Sequence, residues 1–552
     1  MRRWLLVFGA LSGACTASAD VVPASTYVNP IDVNYVVRMG QRYNHHRTTA
    51  DPEIILHAGK YWLFASCGSG YFVSDDLATW RWIRSDDLPF DEWAPTVEEV
   101  GGKLLFSARS GNVFRAIDPE KGQWEKLPGK VAHPVDSALF ADGGRLFLYH
   151  GGNETKRPLY ACEIDPVTFR DKSPSVATYE ADNARYGYEV QGDNNEQTWK
   201  HGYFEGSNMF RWGDTYYFQC AGPGTQYASY SDVAFRGKTP LGPFVRQRMN
   251  PFSNKPTGYI PSAGHGKTFA DRYGNVWHVT TGLVVGFSRR IVLFPVYFDA
   301  DGEMWCDSAF ADWPFAVPNR KVTSPEELRT GWMEIACGKD VTASSRTDGH
   351  PEALSVDNRI DTFWQAETGR KGESLTVDFG GRATIRSVQL GFGDSENGRR
   401  AYRVEAETSP GKWQTLAEEK GDRTFAEHPY HQLAEPADAL RLRVVNTADL
   451  PGGAKFALRG VRVFGSMDKP KPAAPTSVAV ERDAADRRHA VLTWAPSAGA
   501  VGYLVRYGVS REKMHLARTT DRCRLELRSL DAKEEYAWSV TAYNEAGFST
   551  EK

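Results

Sequence analysis

The sequence predicts an all-β chain: a five-bladed β-propeller followed by two β-sandwich domains. Three observations carry that prediction. A turn glycine followed by an aromatic-rich β run recurs five times before residue 320, short strands without the repeat take over from about residue 333, and a proline-rich segment at 467–475 precedes a last run of strand-like sequence. At 552 residues the chain exceeds what one hydrophobic core supports, so several domains are expected.

The first element is not part of the fold. Residues 1–19, MRRWLLVFGALSGACTASA, pair two arginines with an apolar run and end on Ala17-Ser18-Ala19, a small-residue cleavage signature, so they read as a signal peptide and the chain as secreted or periplasmic. Cys15 also permits lipoprotein anchoring, with Ser12 where an aliphatic residue is usual. No later stretch is apolar for the roughly 20 residues of a transmembrane helix. A formal net charge of -3, with both signs interspersed, gives no electrostatic footprint for nucleic acid and points to an uncharged substrate. The six cysteines after the leader are widely scattered, do not form a zinc pattern and read as isolated thiols.

The propeller, residues 20–320, rests on HAGKYWLFAS (57–66), VGGKLLFSA (100–108), ADGGRLFLYHG (141–151), RWGDTYYFQCAG (211–222) and DRYGNVWHVTTG (271–282). Each follows a short apolar strand, a hairpin signature. Their glycines, Gly59, Gly102, Gly144, Gly213 and Gly274, are 43, 42, 69 and 61 residues apart. Spacings of this size suit blades, with insertions in the longer ones, of which the polar stretch 180–202 is one.

Eight residues before each glycine, where an innermost strand should begin, stand Asp51, Ala94, Asp136, Glu205 and Gly266. Three of five positions are acidic where strand propensity and burial both disfavour acids. Propeller symmetry would bring all three to one pocket. Converging carboxylates suit glycoside hydrolysis: one delivers a proton to the leaving oxygen, another activates water, and a third keeps the acid protonated.

These segments resemble glycoside hydrolase family 43 across roughly residues 30–318. ADPEIILHAGKYWLFAS implies the general base at Asp51, VDSALFADGGRLFLYHGG the residue that orients the acid and tunes its pKa at Asp136, and EGSNMFRWGDTYYFQCAG the general acid at Glu205. Trp93-Ala94-Pro95 matches the family's Trp-Ala-Pro, with Thr96 where an acid commonly follows. AGHGKTFAD (263–271) puts His265 beneath the pocket as a substrate-site residue and the ligand of an ion on the axis, so a structural calcium is considered although no cofactor is required. Arg289 matches a substrate-contacting arginine, and Arg290 beside it leaves the alignment open by one residue.

The family implies an inverting, exo-acting hydrolase of polysaccharide or oligosaccharide, an α-L-arabinofuranosidase or related furanosidase first, then β-xylosidase or exo-β-galactosidase. A retaining mechanism and a non-catalytic glycan-binding protein are the competing readings.

Residues 333–466, with VDNRIDTFWQA (356–366), are similar to a discoidin or coagulation-factor type C domain, a class that includes family 32 carbohydrate-binding modules. Trp364 is expected in its core, and its ligand is a glycan or nothing. Asp357 and Asp361 fall where such domains often hold calcium, but Gly460 replaces the late acid expected there. Residues 467–475 read as a stiff linker. Residues 476–552 resemble a fibronectin type III sandwich with Trp494 buried, acting as a spacer or in protein contact.

Overall fold

The computed structural model describes residues 25–35, 48–68, 70–89, 92–152, 158–393, 399–424 and 426–550. The signal-peptide reading, Cys15 included, lies outside the described residues. Among the described residues the chain is all-β, with helical content confined to short 3-10 turns.

Each of the five repeats folds into a four-stranded antiparallel meander. The innermost strands of blades 1 to 5 are Glu53–His57, Thr96–Val100, Ala138–Asp142, Glu205–Trp212 and Gly264–Ala270. They neighbour one another in a closed ring, the last against the first. In blades 1 to 3 the inner strand turns back through two residues that both have positive φ: Ala58-Gly59 (50° and 76°), Gly101-Gly102 (59° and 75°) and Gly143-Gly144 (57° and 77°). That geometry matches the twist of the flanking strands, which is why glycine marks the repeat so regularly. Aromatic residues from the strands fill the spaces between blades, as Phe64, Tyr71, Phe106 and Trp124 do between blades 1 and 2.

Among the described residues no strand is shared between blades 1 and 5, and other bonds close the ring. Ile31 N–H donates to Ile291 O (3.1 Å) and Thr49 N–H to Arg289 O (3.2 Å). On the axis, Lys267 of blade 5 donates to Glu53 of blade 1 (3.0 Å) and to Val97 O of blade 2 (2.6 Å), and faces Glu98 (3.4 Å). Glu53 also accepts from Val97 N–H (2.7 Å) and from Asn208 of blade 4 (3.0 Å). Burial opposes charge on Lys267, but Glu53 and Glu98 outweigh it and hold the amine above its ordinary pKa.

Residues 333–467 form the first sandwich around Trp364, Val377, Phe379, Val388 and Leu442. Trp364 is fully buried and its Nε1–H donates to Ser345 O (3.1 Å). The C-terminal module pairs a three-stranded sheet (Thr476–Arg482, Ala490–Ala495, Arg524–Leu527) with a four-stranded one built on Gly502–Gly508 and Ala537–Asn544. Trp494 lies in its core.

Neither sandwich hangs free. Tyr259 of the propeller enters the first through a gap left by two glycines: a Cβ on Gly391 or Gly460 would lie 2.5 or 2.6 Å from its Oη. This accounts for Gly460 in place of an acid. Met249 of the propeller joins the hydrophobic core of the C-terminal module, and Lys513 of that module reaches Asp299 and Glu303 of blade 5 (both 2.9 Å). The proline-rich segment is tied down as well: Lys469 donates to Glu545 (2.6 Å), and Pro470 O accepts from Asn544 (2.8 Å). No disulfide forms among the described residues.

Candidate active site

A left-handed residue recurs at the entrance of every inner strand: Asp51 (φ 52°), Ala94 (46°), Asp136 (45°), Gly206 (61°) and His265 (57°). Four of these carry side chains in a region that costs on the order of 1 kcal/mol or more each, and such strain concentrates at functional sites. The register therefore differs from the eight-residue count in two blades. In blade 4, Gly213 is the first rather than the second residue of the turn between Trp212 and Thr215, so the count runs one residue too far back, to Glu205. In blade 5 the turn is longer, running from Ala270 to Val276, and the count stops one residue short, at Gly266. His265, not Gly266, holds the fifth equivalent position. Each of these two strands carries one extra residue, between Glu205 and Asn208 and between Gly264 and Lys267. Bulges of this kind redirect side chains.

Asp51 is held from three sides. Its N–H donates to Thr281 Oγ1 (2.9 Å), its Oδ2 accepts from Ser66 Oγ (2.5 Å), and its Oδ1 faces His265 Nδ1 (3.4 Å) and Arg289 Nη1 (3.9 Å). Ser66 Oγ also accepts from Ala94 N–H (2.8 Å), linking blades 1 and 2. Arg289 lies over Trp93 (5.4 Å to the ring centroid) and donates to Thr225 Oγ1 (3.0 Å). Arg290 points the other way, donating to His428 Nε2 (3.0 Å) beneath the first sandwich, so the arginine at the site is Arg289.

Glu205 accepts from two phenols, Tyr203 at Oε2 (2.7 Å) and Tyr230 at Oε1 (2.6 Å). The three acids act on common neighbours. Burial first, then Glu205, Asp136 and Asp51, hold the Tyr203 phenol well above its ordinary pKa. At His265 burial opposes charge, yet Asp51, Asp136, Glu205 and Asp232 together raise its pKa above the ordinary value. Thus the charges of Asp51, Asp136 and Glu205, remote in sequence, converge on one histidine.

A buried polar layer supports His265. Its N–H donates to Asp232 Oδ1 (2.9 Å), and Asp232 Oδ2 lies 2.8 Å from His278 Nε2, whose Nδ1 meets Thr268 Oγ1 (3.0 Å). Gly206 makes room for the ring: a Cβ there would lie 2.6 Å from His265 Cγ. Tyr203, Tyr230, Ser66 and Asp232 carried no signal of their own in the sequence. Tyr203, Tyr230 and Asp232 reach the site from outside the repeat segments, where spacing is uninformative, and Ser66 stands at the end of the first one.

Among the described residues no three His, Cys, Asp or Glu side chains cluster as a cation site. The His265 ring faces Asp51 through Nδ1, its backbone N–H donates to Asp232, and the axis carries the Lys267 ammonium, which would repel a divalent ion. In the first sandwich Asp361 is paired with Arg359 (2.8 Å) and Asp357 accepts from Thr362 (2.8 Å).

Residues 45–304 match the family model of glycosyl hydrolases family 43, a span that contains all five inner strands and all three acids. Over these residues the propeller is similar to family 43 glycosyl hydrolases. Members of that family cleave O-glycosyl bonds. Residues 340–460 match the F5/8 type C domain, as the discoidin resemblance implied. A non-reducing end alpha-L-arabinofuranosidase of Bacteroides ovatus is 34% identical over 107 residues, which are 18% of this chain and 20% of that protein, so the match spans a fifth of its length. Among solved structures, a Bacteroides ovatus xyloglucan-locus family 43 protein is similar over 96% of this chain and 98% of its own, at 15% identity and a TM-score of 0.43. A family 43 protein of Bacillus licheniformis is similar over 80% of this chain and 98% of its own, at 16% identity and a TM-score of 0.41.

Proposed function

We propose that the family 43 propeller removes terminal sugars from a polysaccharide or oligosaccharide by an inverting acid/base mechanism. Asp51 acts as general base, Glu205 as general acid, and Asp136 orients the acid. The observation that carries this reading is the convergence of all three carboxylate charges on His265 and Tyr203, around the residues that resemble the family's catalytic segments.

The surroundings give each carboxyl the means to act. Ser66 fixes one oxygen of Asp51, leaving the other beside Arg289 and His265, which balance its charge while it draws a proton from water. A phenol both donates and accepts, so Tyr203 and Tyr230 hold Glu205 when it is ionised, and one turns to accept when it is protonated. Arg289 and Trp93 form the wall that receives substrate. His265 serves as a substrate-site residue.

Within the family's range, α-L-arabinofuranosides are the first substrate class, followed by β-xylosides and exo-β-galactosides. The first sandwich is available for a glycan ligand, the C-terminal module is of fibronectin type III kind, and residues 1–19 direct export. A panel of nitrophenyl furanosides and pyranosides, read with proton NMR of the first-formed anomer, tests the assignment. Turnover of one arabinofuranoside with inversion supports it. No turnover across the panel favours a glycan-binding protein, and retention of configuration removes Asp51 from the base's role.

A further inference from the structure

The insertion between blades 3 and 4 is a built wall rather than a loose loop. Glu189 is fully buried within it, where it accepts from Asp182 N–H (2.6 Å) and from Arg246 (2.7 Å) and bonds Tyr179 Oη. Its outer side is clamped by the C-terminal module. Arg185 makes a two-point pair with Asp531 (both contacts 3.0 Å), Gly187 N–H donates to Leu530 O (2.8 Å), and Ala532 N–H donates to Arg185 O (2.9 Å). A Cβ on Gly187 would lie 2.2 Å from Arg528 O, so the two backbones approach as closely as glycine allows.

Its inner side is bound to the loop that serves the site. Tyr227 Oη donates to Gln197 Oε1 (3.1 Å) and accepts from Lys200 Nζ (3.1 Å), and Ser229 Oγ donates to Gly192 O (2.7 Å). That same loop sends Thr225 to Arg289 and Tyr230 to Glu205. Between Gln197 and Lys200 stands Trp199, 75% exposed, the only tryptophan among the exposed large apolar side chains of the described residues. A tryptophan kept in water on a segment fixed at both flanks forgoes burial that this all-β chain gives most of its other tryptophans.

We propose that Trp199 is the platform for the sugar on the leaving-group side of the scissile bond, and that the Arg185–Asp531 clamp holds it there, making the C-terminal module part of the substrate wall. This rests on the hydrolase reading with Glu205 as acid. Trp199 precedes Glu205 by six residues, so their Cα atoms lie within at most about 22 Å, and the loop that holds its flanks is the one that carries Tyr230 to the acid and Thr225 to Arg289. The apolar C–H face of a furanose or pyranose ring stacks on indole whatever its hydroxyl pattern. Trp199 thereby favours oligosaccharides over simple glycosides.

Two substrates that share a terminal sugar test this: α-1,5-linked arabinotriose and α-L-arabinofuranosyl fluoride, or the xylose pair if the panel selects xylosides. Trp199→Ala should lower kcat/KM on the trisaccharide about tenfold and on the fluoride, which has no sugar to place there, less than twofold. Trp199→Phe should recover part of the loss, and Asp531→Ala should reproduce the split more weakly with the fold retained. Equal losses on both substrates, or none on the trisaccharide, overturn the proposal. Calorimetric binding of the trisaccharide to Glu205→Gln, with and without Trp199→Ala, separates the two readings. If no substrate is turned over but Trp199→Ala abolishes binding, the hydrolase reading falls and the platform stands. Binding that Trp199→Ala leaves unchanged removes the platform.

Discussion

Gly206 and His265 come from different blades, yet they occupy equivalent left-handed positions and meet so closely that the Cβ which Gly206 lacks would lie 2.6 Å from His265 Cγ. Glu205 precedes the first and Asp51 faces the second, so this contact sets how the acid's strand lies against the base. Gly206→Ala adds backbone strain and pushes the ring aside. It should lower kcat/KM roughly a hundredfold, the effect of an ångström-scale displacement at a reacting centre, with the unfolding temperature reduced by only a few degrees. Wild-type turnover in this variant would show that His265 can move without consequence.

Lys267 binds blades 1, 2 and 5 together from the axis. Lys267→Met leaves the buried Glu53 beside the half-buried Glu98 without their cation and should cost about 3–5 kcal/mol, as removal of one partner of a buried pair does. Calorimetry should show the propeller transition falling in temperature. Adding Glu98→Gln to Lys267→Met should recover part of the loss, because one uncompensated charge is then removed.

His265 gives a pH dependence whose sign follows from its raised pKa. The folded state binds its proton more tightly than the unfolded state, so the stabilisation is fully present below the unfolded value of about 6.5 and is lost as pH rises through the higher folded value. The unfolding-temperature difference between wild type and His265→Gln should therefore be larger at about pH 6 than at about pH 9. A difference that grows with pH would contradict the account.

Gly460 stands where related domains carry an acid, and Tyr259 fills the space above it. Gly460→Asp should destabilise the propeller–sandwich contact by about 1–3 kcal/mol, as overpacking does, and added calcium should not restore the unfolding temperature, since Asp357 and Asp361 already have partners. A calcium-dependent recovery would show a latent ion site.

The acids were legible because blades 1 to 3 share one inner-strand length and one two-residue turn, so a count from Gly59, Gly102 and Gly144 reaches Asp51, Ala94 and Asp136 correctly. It slipped in blades 4 and 5, where the turns differ and each strand carries a bulge. Glu205 was reached only because it precedes Gly206. The tyrosines on Glu205, the Asp232–His278 layer and the Lys267 hub depend on side chains meeting across blades, which no local spacing encodes. The C-terminal module reads as a spacer or protein-contact domain because Asp531 and Lys513 look like ordinary surface residues until their partners on the propeller are known.

The most direct test of the central claim is the turnover of Glu205→Gln on two glycosides of the same sugar, one with a sugar leaving group and one with 2,4-dinitrophenolate. If Glu205 is the acid of the converging trio, turnover falls roughly a hundredfold or more on the first and changes little on the second, which departs without a proton. Wild-type turnover on the sugar leaving group, or equal losses on both, would contradict it.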